Sequence, residues 1–245
     1  MGNAVQIDPS EEIGSAGRVS LFSNMEIAEC GLVFEEQARL NGYSLIAGVD
    51  EVGRGCIAGP VIAAACILDV TKPLPLGLDD SKKVSPEKRR RIAEELKQTA
   101  VAYSVGQVEP EEIDRINILE ATKKAMLRAV ATLQPAPDYL LIDALQLKQS
   151  LLPQKAIIKG DSISASIAAA SIIAKTFRDE LMAAYALIYP EYGFESHVGY
   201  GTKFHYKAIR ARGTCPLHRR TFRGVVPEWE HAESLTLPIP RDQPC

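Results

Sequence analysis

A chain of 245 residues, 46% hydrophobic and 24% charged, has an ordinary globular composition and room for one domain with an appendage or two small ones. No apolar run approaches the ~20 residues a membrane span needs, and Glu11-Glu12 are wrong for a signal peptide, so a cytoplasmic protein without a membrane partner is expected. Five scattered cysteines without a CxxC argue against zinc and against a disulfide framework; a net charge of −3 excludes a globally basic nucleic-acid binder, though residues 196–224 hold seven Lys/Arg and no acid, enough for a local phosphate-binding face.

Residues 1–23 are weakly patterned and expected to be loose. A helix is predicted over 24–41, followed by strand-like runs at 45–50 and 57–68. Gly59-Pro60 inside the second run predicts a bulge or an edge position. After the polar loop Asp79-Asp80-Ser81-Lys82-Lys83, Ser85-Pro86-Glu87 supplies an N-cap, a first-turn proline and a first-turn acid for a helix to about Gln98. A third strand over 100–108 leads to Glu109-Pro110-Glu111-Glu112, another helix start. Helical periodicity then continues through Leu133 with a break near Asn117. Tyr139-Leu140-Leu141-Ile142 reads as a short buried strand ending on Asp143, and Ala156-Ile157-Ile158 as another. Lys159-Gly160-Asp161 then opens a long small-residue helix, SISASIAAASIIAK, running toward Pro190. This order predicts an α/β protein with a mixed sheet flanked by helices. Near the C-terminus, Lys203, Lys207 and Arg210 share one helical face, and Phe204, Ala208 and Ala211 a neighbouring one, an amphipathic helix with a basic side. The proline-rich tail after His231 is expected to be disordered.

Four acids fall at element ends: Asp50 and Glu51 after the apolar run Leu45–Val49, Asp143 after a strand, Asp161 at a helix start. Each alone has a plainer use, Asp161 as a helix cap, Asp143 in a turn, Asp50-Glu51 on a solvated rim. Together they suggest a site at the strand ends of an α/β sheet. Converging carboxylates repel one another unless divalent cations neutralise them, and hard oxygen ligands suit Mg²⁺ or Mn²⁺. Two such ions about 4 Å apart can activate a water and stabilise the leaving oxygen of a phosphodiester.

DEVGRG (50–55) with AGP (58–60), DSKK (80–83), LLIDAL (140–145), KGDSISASIAAASIIAK (159–175), HVGYGTKFH (197–205) and CPLHRRTF (215–222) occur in this order. Over roughly residues 24–226 the chain resembles the type 2 ribonuclease H family, ribonuclease HII. The resemblance implies a ribonuclease H-like fold: a five-stranded mixed sheet flanked by helices over 24–190, with a basic helical extension over 191–231 and a tail over 232–245. It implies cleavage of the RNA strand of RNA–DNA hybrids and incision 5′ of ribonucleotides embedded in duplex DNA, leaving 3′-hydroxyl and 5′-phosphate ends. Carried over by motif, Asp50, Glu51, Asp143 and Asp161 would be the catalytic, metal-binding acids. The turn Gly53-Arg54-Gly55 would read the ribose 2′-hydroxyl, and Tyr200 would stack on the following deoxyribose. Ser81 and Lys82 are candidate phosphate contacts. Lys175 and Arg178 reach phosphates or lie on a solvated helix face, with the solvated face favoured; His197, His205 and His218 read as structural or phosphate-adjacent. In a strand, adjacent side chains point to opposite faces, so the strand is expected to end at Asp50 or Glu51 to leave regular strand geometry.

Val52, Cys56 and Val198 depart from the family pattern, and Val198 replaces a frequent lysine. A DNA nuclease or strand transferase on the same fold, and a binding module without catalysis, are the competing readings. A monomer is the default expectation.

Overall fold

The structure is a computed structural model and describes residues 30–226. The N-terminal segment over 1–23, the start of the helix expected over 24–41 and the tail over 232–245 lie outside the described residues. Five strands, β1 (Ile46–Val52), β2 (Val61–Ile67), β3 (Ala102–Val108), β4 (Tyr139–Asp143) and β5 (Gln154–Ile157), form one sheet in the order β3-β2-β1-β4-β5. β1, β2 and β3 pair antiparallel, whereas β4 lies parallel to β1 and β5 parallel to β4. The helices are α1 (Val33–Leu40), α2 (Pro86–Thr99), α3 (Pro110–Ile116), α4 (Ile118–Thr132), α5 (Ala165–Ile188), α6 (Phe194–His197) and α7 (Lys203–Arg212).

Alternation along the strands distributes the core over two faces. Ala47, Val49, Ala63, Ala65, Leu140 and Ile142 pack with Ala121, Ala125, Met126 and Ala129 of α4. Ile62, Ala64 and Cys66 face Ile92 and Leu96 of α2 and the alanine run of α5. That run lets α5 lie almost against the sheet: a Cβ at Gly48 would collide with the backbone of Ser166 and Ile167, so the glycine inside β1 marks a close backbone approach. The side chains of Ser85, Asn117, Ser164 and Thr202 cap α2, α4, α5 and α7 by accepting amide hydrogens of the first turn.

Several expectations shift. α1 begins only at Val33, because Gly31 is engaged in a bridge to Ser164. β2 lies inside the sheet and starts at Val61, so Gly59-Pro60 is neither a bulge nor an edge; the proline, lacking an amide donor, sits immediately before the ladder. β5 spans 154–157 and leaves Ile158 exposed. On α7 the exposed basic face stands as expected, but the buried residues are His205, Ala208 and Ile209, while Phe204 and Ala211 face outward. Contacts of His205 with His218 and the Tyr200 carbonyl fix that rotation.

Among the described residues no helix is long and apolar enough to cross a membrane.

Candidate active site at the open ends of β1 and β4

β1 pairs with β4 only through Val49–Ile142, while on its other side β2 continues opposite Asp50, Glu51 and Val52. Contrary to the expected early strand end, both acids therefore keep strand geometry, because β2 supplies ladder partners to the last residue. Both carboxylates lie within electrostatic reach of Asp143 at the end of β4. Asp50 is 4% exposed and its Oδ1 accepts the Glu51 amide at 2.7 Å. Asp143 ends β4, where Oδ1 accepts the Gly160 amide at 2.7 Å. Asp161, also buried, lies in the short 3₁₀ turn Gly160–Ser162 and not at the start of α5, whose cap is Ser164. Its Oδ2 accepts from Lys82 Nζ at 3.3 Å. The four predicted acids thus share one region.

Burial raises the Asp50 carboxyl well above the usual carboxylate range, and the Glu51 and Asp143 charges push the same way. Burial also raises Glu51, against the pull of Arg54, whose Nη1 is 3.3 Å from Oε1, with Asp143 adding repulsion. Asp143 is raised by burial, opposed by the Gly160 amide and reinforced by Asp161. Partial burial lowers the Lys82 ammonium, but Asp80, Asp161 and Asp50 outweigh it and the net direction is up. Among the described residues no three His, Cys, Asp or Glu side chains are gathered closely enough to hold a metal ion as they stand, and Asp50, Asp143 and Asp161 each turn an oxygen to a protein donor. The donor set nonetheless fits a hard divalent cation: all ligands are carboxylate oxygens, their charges raise one another's pKa, and an ammonium already reaches among them.

Residues around the acids hold the DSKK loop. Ser171 of α5 contacts the Asp50 carboxylate and lies 3.0 Å from Ser81 Oγ. Buried Arg89 donates to the Ser81 carbonyl at 2.7 Å, the Val84 carbonyl at 3.1 Å and Asp179 Oδ2 at 3.0 Å. Ser81 is itself buried, whereas the Lys82 side chain is largely exposed. Sequence reasoning missed Ser171, Arg89 and Asp179; the one available signal was Ser171 as a polar residue inside the apolar run AAASIIA.

The turn after β1 brings Tyr200 into the same region. A Cβ at Gly55 would lie 4.0 Å from Tyr200 Cε1, and the ring is 47% exposed. Gly53 has φ +91° and its missing side chain leaves space for the Arg178 guanidinium. Arg178 is fully buried, so it lies neither on a solvated face nor where a phosphate reaches. Lys175 is ion-paired with Asp179. The three histidines form a buried group. Gly199 N–H donates to His197 Nδ1, leaving Nε2 to donate to the Tyr192 carbonyl at 2.7 Å. Cys215 N–H donates to His218 Nδ1, so His218 Nε2 donates to His205 Nε2 at 3.0 Å, and His205 Nδ1 donates to the Tyr200 carbonyl at 2.9 Å. All three roles require neutral rings.

A family model described as Ribonuclease HII matches residues 47–225. The chain is 57% identical over 194 residues to the Ribonuclease HII of Chlamydia muridarum, covering 79% of this chain and 88% of that one. With the Ribonuclease HII of Desulfitobacterium hafniense it shares 55% identity over 191 residues, 78% of this chain and 73% of the relative. Its structure is similar to the crystal structure of the ribonuclease H2 from Pyrococcus horikoshii, with a TM-score of 0.63 at 27% identity over 74% of this chain and 95% of the other. On this fold and these relatives, the chain belongs to the ribonuclease HII family, metal-dependent hydrolases that act on RNA–DNA hybrids.

Proposed function

We propose that the chain incises duplex DNA on the 5′ side of an embedded ribonucleotide, as well as cutting the RNA strand of hybrids, leaving 3′-hydroxyl and 5′-phosphate ends. The observation that carries this reading is the meeting of Asp50, Glu51, Asp143 and Asp161 at the open strand ends, beside a glycine turn faced by a half-exposed tyrosine. In this reading the four carboxylates hold Mg²⁺ or Mn²⁺. The chemistry that a bound pair of such ions supplies is activation of a water and neutralisation of the leaving oxygen. The protein's own groups position the substrate. Backbone of Gly53-Arg54-Gly55 meets the 2′-hydroxyl, the one group that separates RNA from DNA at a given site. Tyr200 lays its ring on the next sugar, where a second 2′-hydroxyl would interfere. Ser81 is fixed by Ser171 and Arg89 at the edge of the acids, and Lys82 can leave Asp161 for a phosphate. The working unit is proposed as a monomer in the cytoplasm.

The test is a duplex carrying one labelled ribonucleotide, incubated with Mg²⁺ or Mn²⁺ beside an all-DNA duplex and an Asp50→Asn variant. Incision 5′ of the ribonucleotide, absent from both controls, is expected. Cutting of the all-DNA duplex would favour the DNA nuclease, and binding without incision the inactive module.

A further inference from the structure

Two arginines lie beneath the Gly53–Gly55 turn, and neither forms an ion pair among the described residues. Arg178 comes from α5 and Arg219 from the segment after α7; both are 0% exposed. Arg178 donates from Nε to Pro60 O at 3.2 Å, from Nη2 to Ala58 O at 3.0 Å and from Nη1 to Val198 O at 2.7 Å. Arg219 donates from Nε to Gly59 O and from Nη1 to Arg54 O, each at 3.0 Å, and its guanidinium lies 5.1 Å from the centre of the Phe222 ring, while Nη2 has no hydrogen-bond partner among the described residues. Burying a cation without a counter-ion is costly. Burial, with the Arg178 charge adding to it and Cys56 and Asp114 opposing, pulls Arg219 down to about 10.

Geometry explains why such a pair is retained. Ala58 and Pro60 follow the glycine turn, and Val198 stands two residues before Tyr200, so the Arg178 guanidinium ties the two segments together. Gly199 O adds to the tie by accepting from Ile57 N at 2.9 Å and Ala58 N at 3.3 Å. Val198 has φ +43°, a left-handed conformation that a β-branched residue adopts only under constraint, and the constraint includes the bond from Arg178 to its carbonyl. Gly53, at positive φ, has no room for a side chain because the same guanidinium fills the space.

We infer that Arg178 is a positioning residue for ribose selectivity: through the carbonyls of Ala58, Pro60 and Val198 it sets the gap between the Gly53–Gly55 backbone and the Tyr200 ring, with Arg219 supporting the turn side. The inference rests on the roles proposed above for that turn and that tyrosine. Planar, multiply donating guanidinium is the group suited to holding three carbonyls at fixed directions, which an ammonium cannot copy.

The test compares kcat/KM on a duplex with one ribonucleotide and on an RNA–DNA hybrid for wild type, R178K, R219K, Y200A and R178K/Y200A, with Tm measured for each. Wild type without ribonucleotide-dependent incision would overturn the proposed function and this inference with it. Given selective wild type, R178K is expected to lower the single-ribonucleotide-to-hybrid ratio by about tenfold, since a misplacement of order 1 Å costs up to ~100-fold, while hybrid cleavage changes far less. R219K should lower the ratio in the same sense by less, and R178K/Y200A no further than Y200A alone. Equal loss on both substrates, or additive losses in the double variant, would mean a merely structural role and overturn the inference. Should the lysine variants not fold, amide hydrogen exchange of the wild type decides: Ile57 and Ala58 amides are expected to exchange as slowly as the β1–β2 ladder, and exchange at loop rates would overturn it.

Discussion

On the two sides of the Gly53–Gly55 turn, charge is concentrated with opposite sign and handled differently. The acids at the ends of β1 and β4 are answered by single amides, the Ser171 hydroxyl, Arg54 and Lys82, and burial and mutual repulsion push three of them upward. Arg178 and Arg219 beneath the turn are answered by five backbone carbonyls. Carbonyl dipoles are part of the fold and engage five of the six guanidinium nitrogens without any ligand, leaving only Arg219 Nη2 without a hydrogen bond among the described residues. A few donors shared among four carboxylates leave charge uncompensated, and in the proposed function bound divalent cations supply the missing counter-charge. One region is therefore held almost wholly by the fold's own dipoles; the other keeps a charge that the fold leaves largely uncompensated.

The largest expected effect is on activity. Asp50→Asn and Asp143→Asn each remove a charge that several kcal/mol of cation-assisted catalysis would rest on, so kcat should fall by about three powers of ten or more. The same substitutions remove a buried like charge, so the metal-free variants should melt at or above the wild-type Tm; a clear drop in Tm would break the contrast between the two regions. Stability comes next. Arg89→Met leaves Asp179 and two carbonyls without their shared donor and should lower stability by about 2–3 kcal/mol in denaturant titrations, less than for a fully buried pair because Asp179 is partly exposed.

A pH effect follows from the histidines. Burial lowers His205 and His218 to about 4 from an ordinary 6.5, so between these values the unfolded chain binds protons that the folded chain does not. Their contribution is fully present above 6.5 and is lost as pH falls toward 4. The raised carboxyls titrate in the opposite sense, so the effect is read as the difference in Tm between wild type and His205→Gln: that difference should shrink from pH 7.5 to pH 5. A constant difference would contradict neutral rings in the fold. The smallest effect is at Lys82. Its exposed side chain makes the ion pair with Asp161 worth less than about 1 kcal/mol to stability, so Lys82→Ala should leave Tm nearly unchanged and raise KM severalfold.

The acidic region was largely legible in the sequence because strand ends announce themselves: an apolar run stops at Val49 and at Ile142, and an acid follows each time. The approximate positions of the strands along the chain, the cap at Ser85 and the break at Asn117 were legible for the same local reasons. Glu51's continued strand geometry was not, because it depends on how far β2 extends beside it. The arginine region was nearly invisible. Arg178 sits in the polar run KTFRDE, which reads as a solvated helix face, and it is covered by segments distant in sequence, the turn at 53–60 and the stretch around Val198. Likewise His197, His205 and His218 are scattered in sequence, and no periodicity connects rings that meet through backbone carbonyls and each other.

The most direct test of the central claim is a thermal-shift titration of Mg²⁺ and of Mn²⁺ into wild type, Asp50→Asn and Asp143→Asn without nucleic acid. Cations that complete the acidic region bind the folded state alone and raise Tm with concentration; the account predicts that rise in wild type and its loss in both variants. No rise in wild type, or an equal rise in all three proteins, would contradict it.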